Sequence, residues 1–130
     1  MVGVIIATHG HFADGLVDSA KMFADDVPNI KVLDLTEDKT LDQYTNEVVK
    51  AVDEVDTGEG VIALVDILGG CPSTTVFRVK HKLHKNIEIV TGVNLPMIVS
   101  LLTLMEEDID LKELAEALVK SGVEHIHIME

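Results

Sequence analysis

Tryptophan is absent from this 130-residue chain, tyrosine occurs once and phenylalanine three times. Proteins that hold single-stranded nucleic acid stack bases on aromatic rings, and too few rings are present here to build such a platform. Positive charge is also scarce: 10 Lys+Arg stand against 23 Asp+Glu, a formal charge of −13 with the histidines neutral. Binding a phosphate backbone needs a concentrated positive surface, so no nucleic-acid partner is expected, and a basic protein or a small molecule suits the chain better. A lone cysteine, Cys71, permits no internal disulfide and no C-x-x-C pair, which excludes a disulfide-stapled scaffold. No run reaches the roughly 18 apolar residues of a membrane-spanning helix, and Met1 is followed at once by a strand-like run without a signal peptide's basic start. The expectation is a cytoplasmic protein without repeat, linker or low-complexity tract.

What the chain does have is a 47% share of hydrophobic residues, enough to fold despite its charge. The length suits one domain over residues 1–130. Strand and helix patterns alternate. Gly3 to Ala7 is a short apolar run, after which Phe12, Leu16, Ala20 and Phe23 fall near helical spacing. Pro28-Asn29 breaks that helix and Ile30 to Leu35 supplies a second strand. Thr40 and Gln43 have capping-box spacing ahead of a stripe formed by Leu41, Tyr44, Val48, Ala51 and Val55.

Val61 to Val65 is apolar throughout, as a parallel strand covered on both faces should be, and is expected at the centre of the sheet. Gly69-Gly70-Cys71-Pro72 forms a turn, with Pro72 suited to the first position of a helix running to about Leu83. Asn86 to Val90 reads as a fourth strand, followed by a helix with Pro96 near its start and Met105 near its end. Asp110 and Glu113 open a last helix that Gly122 should stop. Val123 to Glu130 alternates as a half-buried strand. The implied fold class is α/β with four parallel strands plus this C-terminal strand, whose apolar edge calls for cover by a second copy.

Chemistry concentrates at two strand ends. His9 follows the first strand in Ala7-Thr8-His9-Gly10-His11, and Asp66 follows the third. In open parallel sheets, ligands enter the crevice beyond the carboxyl ends of the strands. Were these two strands neighbours, Asp66 would bond one nitrogen of the His9 ring and leave the other as a base or nucleophile. Gly10, Gly69 and Gly70 leave room beside the imidazole. The first amides of the helix after Pro72 would offer donors and a positive dipole end to an anion, and Thr8, Ser73 and Thr74 carry hydroxyls. Such a set suits accepting and passing on a phosphoryl group.

Competing readings are specific. Asp66 by itself would serve as a helix cap. Cys71 near a helix start is the alternative nucleophile, with His9 as its base. The pairs His9/His11 and His125/His127 have two-residue spacing but no visible further ligands, so no metal is expected. Arg78, Lys80, His81, Lys82, His84 and Lys85 form a local basic helix surface on an acidic protein. No GxxxxGK[ST] segment occurs, so nucleotide binding is not inferred.

Three segments in order, GVIIATHGHFADGL at residues 3–16, LVDILGGCP at 64–72 and VTGVNLPM at 90–97, resemble the IIA component of the mannose family of the bacterial phosphoenolpyruvate-dependent sugar phosphotransferase system. The resemblance covers essentially the whole chain, as a single IIA domain. It implies a three-layer fold with a parallel sheet ordered 2-1-3-4, and a fifth, C-terminal strand exchanged in a homodimer. It also implies that His9 is the phosphorylated residue, receiving its phosphoryl group from the phosphocarrier HPr and relaying it to a IIB component, with membrane components IIC and IID importing the sugar. No cofactor is implied. Asp66 aligns with the acid that orients the ring for reaction through Nε2, and Thr8, Gly69 and Gly70 align with the surroundings. Cys71 stands where serine is more usual, keeping the backbone amide but not the hydroxyl, and Leu68 replaces a tryptophan found in some members. The transported sugar stays open among mannose, fructose, N-acetylhexosamine and sorbose. A small-ligand-binding or regulatory dimer that uses the anion pocket without phosphotransfer is the alternative function.

Overall fold

The computed structural model describes residues 1–26 and 29–130. Its strands are β1 (Gly3–His9), β2 (Ile30–Leu35), β3 (Val61–Val65) and β4 (Ile87–Val90). They form one parallel sheet in the order β2-β1-β3-β4. The helices are α1 (Phe12–Ala20), α2 (Leu41–Val55), α3 (Cys71–Lys82), α4 (Leu95–Leu104) and α5 (Leu111–Glu124). Side chains alternate across the sheet, which splits the core in two. Val4, Ile6, Ile62 and Leu64 face one layer with Leu16 of α1, Leu101 of α4 and Leu118 of α5. Ile5, Ala7, Ala63 and Val65 face the other, with Tyr44 and Val48 of α2 and Val76 of α3. The central strands carry buried residues on both faces, which is why β3 reads as a continuous apolar run.

Local signals set the helix starts. The Thr40 side chain accepts from the Gln43 N–H at 3.1 Å while the Gln43 side chain accepts from the Thr40 N–H at 2.8 Å. Asp110 accepts from the Glu113 N–H and starts α5. A Cβ on Gly3 would stand 2.3 Å from the Val55 carbonyl oxygen, so that glycine lets the end of α2 close against the start of β1. None of the helices in the described residues is long and apolar enough to cross a membrane.

Several expectations shift. Ala13, Leu16 and Ala20 are the buried face of α1, while Phe12, at its first position, and Phe23, beyond its end, are about half exposed at 48% and 60%. Pro28 lies outside the described residues. Pro72 takes the second position of α3, after Cys71. Gly122 does not stop the last helix, because α5 continues to Glu124. A Cβ on Gly122 would meet the Met97 side chain at 2.9 Å, so this glycine serves helix packing. The expected strand Val123–Glu130 is not a strand within the single chain: its first two residues end α5 and residues 126–130 lie outside the sheet, with Ile126, Ile128 and Met129 exposed. Alternation alone does not supply a ladder; a strand needs a neighbour to bond.

Candidate active site

The chain passes from β1 out to β2, then returns to place β3 on the other side of β1. The β1/β3 boundary is therefore the point where strand order reverses, and the crevice beyond its carboxyl ends is where parallel sheets hold ligands. His9 ends β1 at this boundary, and Asp66 follows directly on β3. Asp66 Oδ2 accepts two hydrogen bonds from the same residue, from the His9 backbone N–H at 2.9 Å and from ring Nδ1 at 2.9 Å. Asp66 Oδ1 accepts from the Ile67 N–H at 2.9 Å. The carboxylate is 12% exposed and the imidazole 45% exposed. Partial burial by itself would raise the Asp66 pKa, but the bonds from the His9 backbone, the His9 ring and the Ile67 N–H outweigh it and hold the carboxyl below its ordinary value. An ionised carboxylate only accepts. The proton of the neutral ring therefore sits on Nδ1, and Nε2 carries the free lone pair.

Glycine geometry frames the ring. Gly10 has φ +57°, a left-handed conformation that glycine enters without a Cβ penalty, and its N–H donates to the Leu35 carbonyl at 2.8 Å. A Cβ on Gly70 would lie 2.9 Å from His9 Cε1, so the imidazole packs on bare backbone there. Gly69 has φ +81°. Gly70 is the N-cap of α3. Neither the Cys71 nor the Ser73 N–H, in the first turn of α3, has an i−4 helical carbonyl to bond, and Pro72 between them has no N–H.

The hydroxyls are less available than their positions suggest. Thr8 is fully buried and its Oγ1 accepts from the Ala13 N–H at 2.9 Å, capping α1. Ser73 is buried; its Oγ accepts from the Gly69 N–H at 3.0 Å and donates to the Gly70 carbonyl at 2.9 Å, which braces the glycine turn. Thr74 is exposed and donates to carbonyls of Gly70 and Cys71. Cys71 is partly buried, and its sulfur lies 3.9 Å from Thr75 Oγ1. Asp66 does not cap α3, which has no side-chain cap.

His9 and His11 do not act as a pair. His9 turns to β3, whereas His11 Nδ1 lies 3.1 Å from Asp34 Oδ2 on β2 and 3.2 Å from Asp14 Oδ2 on α1. Its bonds to Asp34 first, and to Asp14, raise the His11 pKa. Burial, reinforced by Asp14, raises that of Asp34. The three-residue spacing of His11 and Asp14 was visible in the sequence; Asp34 joins them only because β2 pairs with β1. At the other end of the chain, His125 Nδ1 donates to the Ser121 carbonyl at 2.8 Å. On the basic face of α3 the His81 ring stands 4.3 Å from that of Phe77.

The family described as "PTS system fructose IIA component" matches residues 3–119. The PTS system mannose-specific EIIAB component of Escherichia coli (strain K12) is 30% identical over 126 residues, covering 96% of this chain and 38% of that protein. The chain thus spans less than two-fifths of that relative's length. Among solved structures, the PTS IIA protein associated with the fucose utilization operon from Streptococcus pneumoniae is 29% identical, with a TM-score of 0.79 and 93% of each chain covered. The mannose/sorbose specific IIA subunit from Enterococcus faecalis has a TM-score of 0.87 at 18% identity, covering 99% of this chain and 95% of that one, and shows the shared fold. The match across nearly the whole chain makes this protein a member of the mannose-family IIA components of the sugar phosphotransferase system.

Proposed function

We propose that this protein is a phosphohistidine carrier that accepts a phosphoryl group on His9 Nε2 from HPr and passes it to a IIB component. The observation that carries this reading is the Asp66 carboxylate on His9 Nδ1 at 2.9 Å, with Nε2 left free. In the transfer, the Nε2 lone pair attacks phosphorus, the P–Nε2 bond forms as phosphorus separates from the donor's leaving group, and the leaving group keeps the bonding pair. The ring proton stays on Nδ1, where Asp66 balances the positive charge that develops on the imidazole. The Cys71 and Ser73 N–H groups in the first turn of α3 supply donors for the phosphoryl oxygens. Transfer to IIB reverses the same step. Membrane components IIC and IID would then act on the sugar without touching His9. Incubating the folded protein with phosphoenolpyruvate, the upstream enzyme and HPr should label it, and His9→Ala should abolish the label; a folded protein that stays unlabelled contradicts the reading.

The carrier is proposed to work as a homodimer that exchanges residues 123–130. The support is local. β4 is an edge strand, and a groove beside it is lined by Leu68, Phe77 and Ile89. Asn94, in the turn after β4, donates to the Gly122 carbonyl at 3.1 Å, so the tail leaves α5 at the carboxyl end of the sheet with its apolar residues uncovered. Strand addition to an open edge satisfies both backbones. Light scattering at micromolar concentration should give twice the 14.1 kDa chain mass, and removing residues 125–130 should give monomers. A monomeric full-length chain contradicts the exchange.

A further inference from the structure

We propose that His11, Asp14 and Asp34 form a binding site for one divalent transition-metal ion of the zinc class, separate from the His9–Asp66 pair. The donors come from three places in the fold: the turn after β1, the first turn of α1, and β2. Their ligand atoms all lie within 4.8 Å of one another. Zinc–nitrogen and zinc–oxygen bonds of about 2.0–2.1 Å put neighbouring ligands of a tetrahedron about 3.3 Å apart. The 3.1 Å and 3.2 Å separations of His11 Nδ1 from the two carboxylates are already close to that edge.

A second observation concerns the far side of Asp34. Its Oδ1 is shielded from solvent and has no hydrogen-bond partner among the described residues. Two carboxylates converge on one ring nitrogen, which offers at most a single proton to both. The nearby fixed cation bonds neither carboxylate: Lys39 donates to the backbone carbonyl of Asp34 at 2.6 Å and pairs with Glu47 at 3.2 Å, although its charge favours the ionised form of Asp14. A carboxylate taken out of water needs a compensating cation, and an ion bound by Asp34 would supply it. One imidazole with two carboxylates suits zinc and its neighbours, whereas calcium takes six to eight oxygens. His11 and Asp14 are 76% and 53% exposed, which gives the ion an entry path and leaves water for the remaining position. His9 bonds Asp66 beyond β3 whereas His11 bonds Asp34 on β2, so the ion would not take Asp66 from His9.

Calorimetric titration of the chelator-treated full chain with zinc chloride tests the site, with circular dichroism confirming that each variant is folded. Binding of one ion per chain with a dissociation constant below about 10 µM is expected. His11→Asn and Asp34→Asn should each weaken it by at least ~10-fold, the loss that follows even from removing a partner of a metal ligand. His125→Asn should leave it unchanged. If Asp34→Asn does not fold, His11→Asn, on the exposed turn, decides. Absence of a saturable site, or binding that survives His11→Asn unaltered because the ion sits on His9 or the C-terminal histidines, overturns the assignment. The test does not depend on His9 being phosphorylated.

Discussion

Replacing Asp66 by asparagine separates orientation from charge, because the site predicts which of the two survives. Asp66 Oδ2 accepts from both the backbone N–H and the ring of His9, while Oδ1 accepts from the Ile67 N–H. An asparagine has one acceptor oxygen. Placed toward His9 it satisfies two donors and sets its NH2 against the Ile67 N–H; placed toward Ile67 it satisfies one and sets its NH2 against the His9 backbone N–H. The first arrangement wins, so Nδ1 stays protonated and Nε2 stays free. What is lost is the charge. Hydrogen bonds to an ionised group are worth about 1.5–3 kcal/mol and neutral ones about 0.5–1.5, a difference of roughly 1 to 1.5 kcal/mol for the ring bond. Only the part that grows as the ring becomes cationic affects the rate. Since 1.36 kcal/mol is tenfold, Asp66→Asn should slow phosphoryl transfer from HPr by about tenfold, measured by rapid quench at saturating donor. Asp66→Ala, which holds neither the ring nor the backbone N–H, should be slower still. An Asp66→Asn protein as fast as the parent would remove the charge from the mechanism, and one as inactive as His9→Ala would show that orientation does not survive.

Two further outcomes follow from the same geometry. Gly70→Ala puts a methyl group 2.9 Å from His9 Cε1 on a backbone whose φ of −73° tolerates alanine; the ring, open to solvent on its other side, should swing away from Asp66, lowering transfer by about tenfold, the worth of a bond of roughly 1.4 kcal/mol, with little change in thermal midpoint and a shifted His9 Cε1–H resonance. Acid sensitivity has a defined sign: the Asp66 carboxyl is held below its ordinary value of 3.8, so its bonds stabilise the folded state above that value and the contribution is lost as pH falls through the lower, folded value. Urea midpoints of the parent and Asp66→Asn should therefore converge as the pH falls below about 4.

The strands were legible because burial on both faces forces an uninterrupted apolar run, as in Val61–Val65. Helix starts were legible where a side chain caps them, at Thr40 and Asp110. Helix faces were read less well. Spacing placed Phe12, Leu16, Ala20 and Phe23 on one face of α1; Leu16 and Ala20 are buried, but Ala13 completes the face and both phenylalanines are exposed. Gly122 illustrates a general ambiguity, since glycine both ends helices and lets them pack closely, and only the position of Met97 decides between the two. The alternating tail carries no information about which sheet edge it joins. At the site, His9 and Asp66 were legible from their places after two apolar runs, whereas the closed hydroxyls of Thr8 and Ser73 follow from local turn geometry that spacing does not encode. Asp34 was not singled out, because its neighbourhood with His11 exists only once β2 lies beside β1.

The central claim is that His9 carries the phosphoryl group on the ring nitrogen turned away from Asp66. Phosphorus and proton magnetic resonance of the protein labelled through HPr reads the position directly. A single acid-labile phosphohistidine at His9 is expected, substituted on Nε2, with Nδ1 still protonated. A phosphoryl group on Nδ1, on His11, or on the sulfur of Cys71 would contradict it.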